Sequence, residues 1–442
     1  LKREEIKIYL KPALCGLFCC MIRSMTHHQK YISILLILLF FPKLYLFSEV
    51  YNLGGMYTYH YHDGRYADWG DYAREGAFIA IDEINRKRFL GSDNYLQLLP
   101  ENTIDYHCWP SNAAEMAKTL FEKNILILTG ADCSSPAVEI AKVASDYKIP
   151  VISNGANASS LSSKNDYPWF IRVVTPSEEY DRYLVELADN LGVKEVAYFY
   201  TTDAWGLGAR KVINETTKIK NISIKREFGF KRDTSQAVID KFVYEVAKEE
   251  IKNIIITGPT PDTVRVFKAI NKFGLNKKGN TIFATEMISA DESIEAVNGS
   301  KGYFAPMTLL ENSKILESFK LKLEGKIKKD IDVNSKAFFY GALSYDHIYT
   351  VAHAINNMNK SNTPVTSETL MSFLRKVDFI GATGRVYFSQ NTNDRINMPL
   401  QIMNSHGYDA ESNTVKFKSV AKVSSDGRLI INKSKIIMPG YD

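Results

Sequence analysis

The sequence predicts an α/β protein of two doubly wound lobes, each built on a parallel sheet, and three observations predict it. Short continuous apolar runs alternate with helical patterns that carry one apolar stripe. The alternation restarts near residue 177, giving a second unit of similar size without an exact sequence repeat. After about residue 305, two helical patterns lead into a β-rich tail too poor in helix to make a third such unit. Continuous apolar strands bracketed by helices mean a sheet covered on both faces. The 442 residues suffice for two or three units at roughly 100–200 residues each.

The first unit opens with a strand over 50–57. A helix over 71–88 follows, with Ala73, Ala77, Ala80, Ile81 and Ile84 on one face, the spacing of a single buried stripe. Residues 96–106 are extended and 112–122 helical. Next come a strand over 125–129, a helix over 135–147 and a strand over 151–153 after Pro150. In the second unit a helix over 177–191 is stopped by Gly192. A strand (196–200), a helix (206–218), an extended piece (222–228) and a helix (235–249) follow. Then come a strand (253–257), a helix (262–273) capped by Asp262 and stopped by Gly274, and a strand (281–285). Helices over 335–357 and 367–376 precede the tail, whose simplest use is to return and complete both units. The lysine-rich stretch 320–329 reads as a solvated helix face or loop.

Composition excludes several functions. Hydrophobic residues make up 45% and charged residues 24%, ordinary for a globular protein. A net charge of +5 without a dense basic face speaks against nucleic acid as a partner. The nucleophile elbow, P-loop, dinucleotide fingerprint and Cys-x-x-Cys pair are missing, so enzyme chemistry and bound cofactors are not expected. From Met25 a short polar start with His27, His28 and Lys30 leads into an apolar run over 31–41. That is the pattern of a secretory signal peptide over 25–48, shorter than a spanning helix needs. Residues 1–24 are set aside as a leader. Of five cysteines, Cys15, Cys19 and Cys20 fall in it. Cys108 and Cys133 remain, as a disulfide of an exported chain or as two buried thiols. Sequons at Asn157, Asn214, Asn221, Asn298, Asn359 and Asn432 add weak support for a secretory route.

Ligands of open α/β sheets sit at the carboxyl ends of the strands. Two facing lobes turn that position into a cleft that closes by hinge motion. Residues 130–136, GADCSSP, follow a strand and open a helix. Ser134 or Ser135 can cap that helix and Pro136 suits its first turn; a helix start is a ready site for a carboxylate or phosphate. The small polar loop 153–162, with Gly155 and Asn157, lets a ligand approach the backbone. From the second lobe come Asp203 and Trp205, the latter a flat lid, and Glu286, a partner for an ammonium group. In the stretch 59–69, Tyr59 and its aromatic neighbours are expected at the cleft mouth. His60, His62 and Asp63 make a metal site conceivable there, but no metal is expected.

Taken together, residues 75–85 (EGAFIAIDEIN), 149–153, 157–162, 170–176 (FIRVVTP), 345–356 (YDHIYTVAHAIN) and 379–388 (FIGATGRVYF) resemble the type I periplasmic-binding-protein-like family. That family includes branched-chain amino-acid binding proteins and the ectodomains of metabotropic glutamate, GABA-B and guanylate cyclase receptors. The resemblance runs from about residue 50 to 440. It implies three hinge crossings, with lobe one formed by 49–174 and 309–378 and lobe two by 175–308 and 379–440. It also implies a lobe-one disulfide between Cys108 and Cys133, and a ligand carboxylate at Ser134 and Ser135 with further contacts from Gly155 and Asn157. Trp205 would cover the ligand and Glu286 would meet its ammonium. The amino-acid-binding relatives usually carry hydroxyl residues where this chain has Gly155 and Asn157. The resemblance further implies an amino acid or small carboxylate ligand, a homo- or heterodimer through lobe one, and an extracellular, cell-surface or periplasmic location. Membrane attachment would come only through a downstream segment or a partner. A transporter-associated solute-binding protein is the alternative. A ligand bound outside the cleft, of the peptide-hormone type, follows if Trp205 and the 59–69 loop fill it.

Overall fold

The computed structural model describes residues 49–288, 293–411, 414–424 and 426–440. The expected leader and signal peptide, with Cys15, Cys19 and Cys20, lie outside them. The first lobe is a five-stranded sheet of β1 (Glu49–Tyr57), β2 (Asn94–Asp105), β3 (Ile127–Gly130), β4 (Val151–Ser153) and β5 (Phe170–Arg172), in the order β2-β1-β3-β4-β5. Between its strands run α1 (Asp68–Arg86), α2 (Ala113–Phe121) and α3 (Ser134–Tyr147). β1, β3, β4 and β5 pair in parallel, Leu53 opposite Ile127 and Leu128 opposite Val151.

The second lobe follows with α4 (Ser177–Asn190), β6 (Glu195–Thr201), α5 (Ala204–Ile219), β7 (Ser223–Phe230), α6 (Gln236–Lys248), β8 (Asn253–Thr257), α7 (Thr260–Lys272), β9 (Thr281–Ala284), α8 (Ile294–Gly299) and β10 (Phe304–Thr308). The chain then gives α9 (Lys314–Ile327), α10 (Lys336–Lys360), α11 (Ser367–Leu374), the hairpin β11 (Asp378–Gly381) and β12 (Gly384–Tyr387), and β13 (Leu400–Asp409), β14 (Thr414–Val423) and β15 (Leu429–Ile431). The second sheet runs β15-β14-β13-β10-β9-β8-β6-β7. It is parallel through β10 and antiparallel beyond it, because the tail folds back on the open edge of β10 as a meander. The run Ile254, Ile255, Ile256 is wholly buried, as a central strand covered on both faces must be.

The segments after β10 pack on both sheets. α10 crosses α1 so closely that a Cβ on Gly76 would stand 2.2 Å from the Gly341 carbonyl oxygen. Only glycine permits that approach. The hairpin β11–β12 stands on the first lobe: Phe379 stacks on His353 of α10 at 4.3 Å, and the buried Asp346 of α10 accepts from the backbone N–H of Ala382 and Thr383. The sequence had grouped residues 379–440 with the second lobe. The lysine-rich stretch lies mostly within α9. The helix expected from 262 starts at Thr260 after Pro259, with Pro261 in its first turn, so Asp262 does not cap it. Its carboxylate instead holds Arg232 (3.1 Å) and Arg265 (3.2 Å).

Three crossings join the lobes: after β5, after β10 and after β12. They run side by side. Arg172 N–H donates to Asn393 O (3.1 Å), Arg395 N–H to Arg172 O (3.1 Å) and Leu309 N–H to Pro399 O (2.7 Å). The Arg172 guanidinium is buried against Asp394 at 2.7 Å.

Candidate functional site

Each sheet has a point where the chain's progression reverses. In the first it lies between β1 and β3, in the second between β6 and β8. Loops diverge there and leave a crevice. The two crevices face each other. One cleft is lined by Tyr61 and Trp69 after β1, Asp132 to Pro136 after β3, and Gly155 and Asn157 after β4. From the second lobe come Asp203 and Trp205 after β6, Arg232 after β7, Pro259 and Pro261 after β8, and Glu286 after β9. Cys108, Lys336 and Tyr340 complete the wall.

The structure thus brings Ser134, Ser135, Gly155, Asn157, Asp203, Trp205 and Glu286 together. Tyr59 is not among the lining residues. It packs against the first-lobe core with the Arg74 guanidinium 5.1 Å from its ring centre, while Tyr61 and Trp69 from the same stretch reach the cleft. The conceivable metal ligands point elsewhere: His60 pairs with Asp105 (3.0 Å), His62 stacks on Trp109 (4.1 Å) and Asp63 pairs with Arg65 (2.9 Å).

At the start of α3 the expected capping does not occur. Cys133 is the N-cap residue and no side chain caps the helix. The serine hydroxyls point sideways. Ser134 Oγ donates to Asn157 Oδ1 (3.4 Å) and accepts from Ala158 N–H (3.1 Å). Ser135 Oγ crosses to the second lobe and donates to Asp203 Oδ2 (3.1 Å). Asp203 is itself the N-cap of α5, accepting from Gly206 N–H (2.9 Å). A disulfide joins Cys108 and Cys133, tying the start of α3 to the loop after β2, whose Cys108 carbonyl accepts from Arg232 of the second lobe (2.8 Å).

Gly155 has a local reason. A Cβ there would lie 2.6 Å from Asp132 O and 2.7 Å from the Tyr340 ring, so Tyr340 takes the space that a hydroxyl side chain would need. Asp132 is fully buried beneath it. Burial pushes its carboxyl up to about 6, against hydrogen bonds from Tyr106 and Thr58.

Glu286 is not bare. Its Oε2 accepts from Thr260 N–H (3.0 Å), from the Thr260 hydroxyl, and from the Lys336 ammonium at 2.7 Å. Lys336 is the first residue of α10, which packs on the first lobe, so this ion pair also spans the lobes. Sequence reasoning missed Lys336, Arg232 and Asp132. Lys336 had one readable signal: a lysine in the first turn of a helix opposes the helix dipole and needs an anion elsewhere. With three polar bridges across it and Trp205 buried in the first-lobe cluster, the cleft is closed. Its free interior is a cavity of about 40 Å³. A chamber of about 220 Å³ adjoins it through Ser135, Asp203 and Arg232, with Trp109 and Lys231 on its far wall.

The model of the receptor family ligand binding region matches residues 73–407. Glutamate receptor 3.1 of Oryza sativa subsp. japonica is 23% identical over 73% of this chain and 38% of its own length. Metabotropic glutamate receptor-like protein E of Dictyostelium discoideum is 23% identical over 66% of the chain and 36% of its own. Metabotropic glutamate receptor 8 of Mus musculus is 21% identical over 77% and 46%. The chain spans less than half the length of each of these three relatives. Among the described residues, no helix is long and apolar enough to cross a membrane.

Proposed function

The chain belongs to the family described as the receptor family ligand binding region, and from that premise we propose that it is the ligand-sensing part of a receptor, closing its lobes on a small carboxylate or zwitterion. Members of this family bind ligands and are not enzymes, and the same holds for this chain. One observation carries the reading. Side chains from the ends of β3, β4, β6 and β9, on two lobes, converge on a single cleft. The uncapped start of α3 offers backbone N–H groups and a partial positive charge to an anion there. A ligand that bridges both lobes favours the closed state, and closure reports its presence. Pairing of two domains through their first lobes would pass that closure to a membrane-bound output. The disulfide supports an extracellular or cell-surface location. A transporter-associated solute-binding protein is the alternative with the same cleft.

A second reading has an observation in its favour. Trp205 and Trp69 leave little free space in the closed cleft, which suits a ligand seated outside it. A thermal-shift screen of amino acids and small carboxylates separates the two. The cleft reading expects a shift that Ser135→Ala reduces and Glu286→Ala alters. A ligand whose affinity neither substitution changes would exclude the cleft site.

A further inference from the structure

We propose that the cleft selects a small carboxylic acid without a free amine, and that Lys336 sets this specificity by occupying, at Glu286, the place a ligand ammonium would take. The proposal rests on the reading of the cleft as the ligand site and narrows its ligand class.

Every acidic side chain lining the cleft is engaged by the chain itself. Glu286 accepts from Thr260 N–H, the Thr260 hydroxyl and the Lys336 ammonium. Asp203 accepts from Thr201 Oγ1 (2.8 Å), Gly206 N–H (2.9 Å) and Ser135 Oγ (3.1 Å). Asp132 accepts from Thr58 N–H (3.3 Å), Thr58 Oγ1 (2.9 Å) and the Tyr106 hydroxyl. The groups left unspent are donors. Trp205 is 5% exposed, lines the cleft, and its buried indole Nε1–H has no partner among the described residues. An indole N–H only donates, and a buried donor without an acceptor is a rare and costly feature. The start of α3 on the opposite wall has no side-chain cap. In the adjoining chamber, Lys231 has no acidic partner among the described residues.

This inventory asks a ligand for acceptors. An α-amino acid would satisfy it with its carboxylate. Its ammonium would then meet a Glu286 whose charge Lys336 already balances at 2.7 Å, with the Lys336 ammonium as a like-charged neighbour. The Lys336 ammonium also stands 5.9 Å from the ring centres of both Trp69 and Tyr340, in an aromatic corner that favours a cation. An acid of the same carbon skeleton, with hydrogen, hydroxyl or a keto group in place of the amine, meets neither obstacle.

Titration calorimetry with matched probes tests this on the disulfide-bonded domain: succinate against aspartate, glutarate against glutamate, pyruvate against alanine. The expected result is at least one pair in which the amine-free acid binds about tenfold tighter, the ratio that roughly 1.4 kcal/mol gives. Lys336→Met, which keeps an apolar stem against Trp69 and Tyr340, should shrink or reverse that ratio. A wild-type preference for the amino acid in every pair overturns the proposal and leaves the cleft reading standing. A ratio that Lys336→Met leaves unchanged overturns the role given to Lys336. If neither member of any pair binds at millimolar concentration, the proposal and the cleft reading fall together. The wild-type ratio needs no variant, so a misfolded Lys336→Met would not rescue the idea.

Discussion

Arg172→Met should be among the most destabilising single substitutions in this protein. The Arg172 side chain is 0% exposed and that of Asp394, its partner at 2.7 Å, 7%. The guanidinium also donates to Ala156 O (3.1 Å), Ala158 O (2.8 Å) and Ser162 Oγ (2.6 Å). It therefore ties the loop carrying Asn157 to the third hinge crossing. Removing one partner of a buried ion pair costs about 3–5 kcal/mol, because the other charge stays buried alone. The orphaned acceptors each threaten about 1 kcal/mol more where water cannot reach them. Against a typical total of about 5–15 kcal/mol, a loss of about 4 kcal/mol is a large fraction. Asp394→Asn should cost somewhat less, about 3 kcal/mol: the buried guanidinium loses its carboxylate but keeps its three neutral acceptors, and the amide can still accept. Urea unfolding followed by tryptophan fluorescence gives both values, since Trp69 and Trp205 are buried. A loss under about 3 kcal/mol for Arg172→Met, or a larger loss for Asp394→Asn, would refute the idea that this pair staples loop to hinge, since that is the least that a broken buried pair should cost.

Two further expectations concern the floor of the cleft. Gly155→Ala should cost about 1–3 kcal/mol through overpacking and weaken any cleft ligand, because the new methyl meets a backbone carbonyl at 2.6 Å as well as a ring; melting curves and ligand titration check both effects. Asp132 should leave a pH signature. Its folded carboxyl is pushed up to about 6, from an ordinary 3.8, chiefly by burial. The folded state thus holds that proton more tightly than the unfolded chain. The associated stability is fully present below the unfolded value and is lost as pH rises through about 6. Two pKa units correspond to about 3 kcal/mol. Wild type should lose about that much relative to Asp132→Asn between pH 4 and pH 7, and parallel pH profiles for the two would contradict it.

Much of the fold was readable because its signals are local. The β-branched run Ile254–Ile255–Ile256 reads as a covered strand from its own residues, and Gly192 and Gly274 stop helices through their own left-handed backbone. Three features were not local. The antiparallel completion of the second sheet depends on which edge is left open once β10 is in place. The position of the hairpin β11–β12 depends on Asp346, more than thirty residues upstream, accepting from its turn. Asp262 resembled a cap in sequence. Its real partners, Arg232 and Arg265, draw the carboxylate away from the helix end, which Pro259 and Pro261 place two residues earlier.

The candidate site shows the same division. Residues at strand ends (Ser134, Ser135, Asn157, Trp205, Glu286) could be found one segment at a time, because the carboxyl edge of a parallel sheet is where loops open. Their charge state could not. Glu286 looks like a lone acid in its own segment, and the cation that balances it lies fifty residues later on the other lobe. The pair exists only when the lobes are together, as do the Ser135–Asp203 and Arg232–Cys108 bridges. Closure therefore does more than shut the cleft: it removes the negative charge that would draw in an amine and leaves the donors of α3 and Trp205 facing inward. With the lobes apart Glu286 would keep its Thr260 bonds and lose only the cation, whereas a ligand held in the closed form meets Lys336 beside it. Selection by the closed state is what joins the hinge to the chemistry of the site.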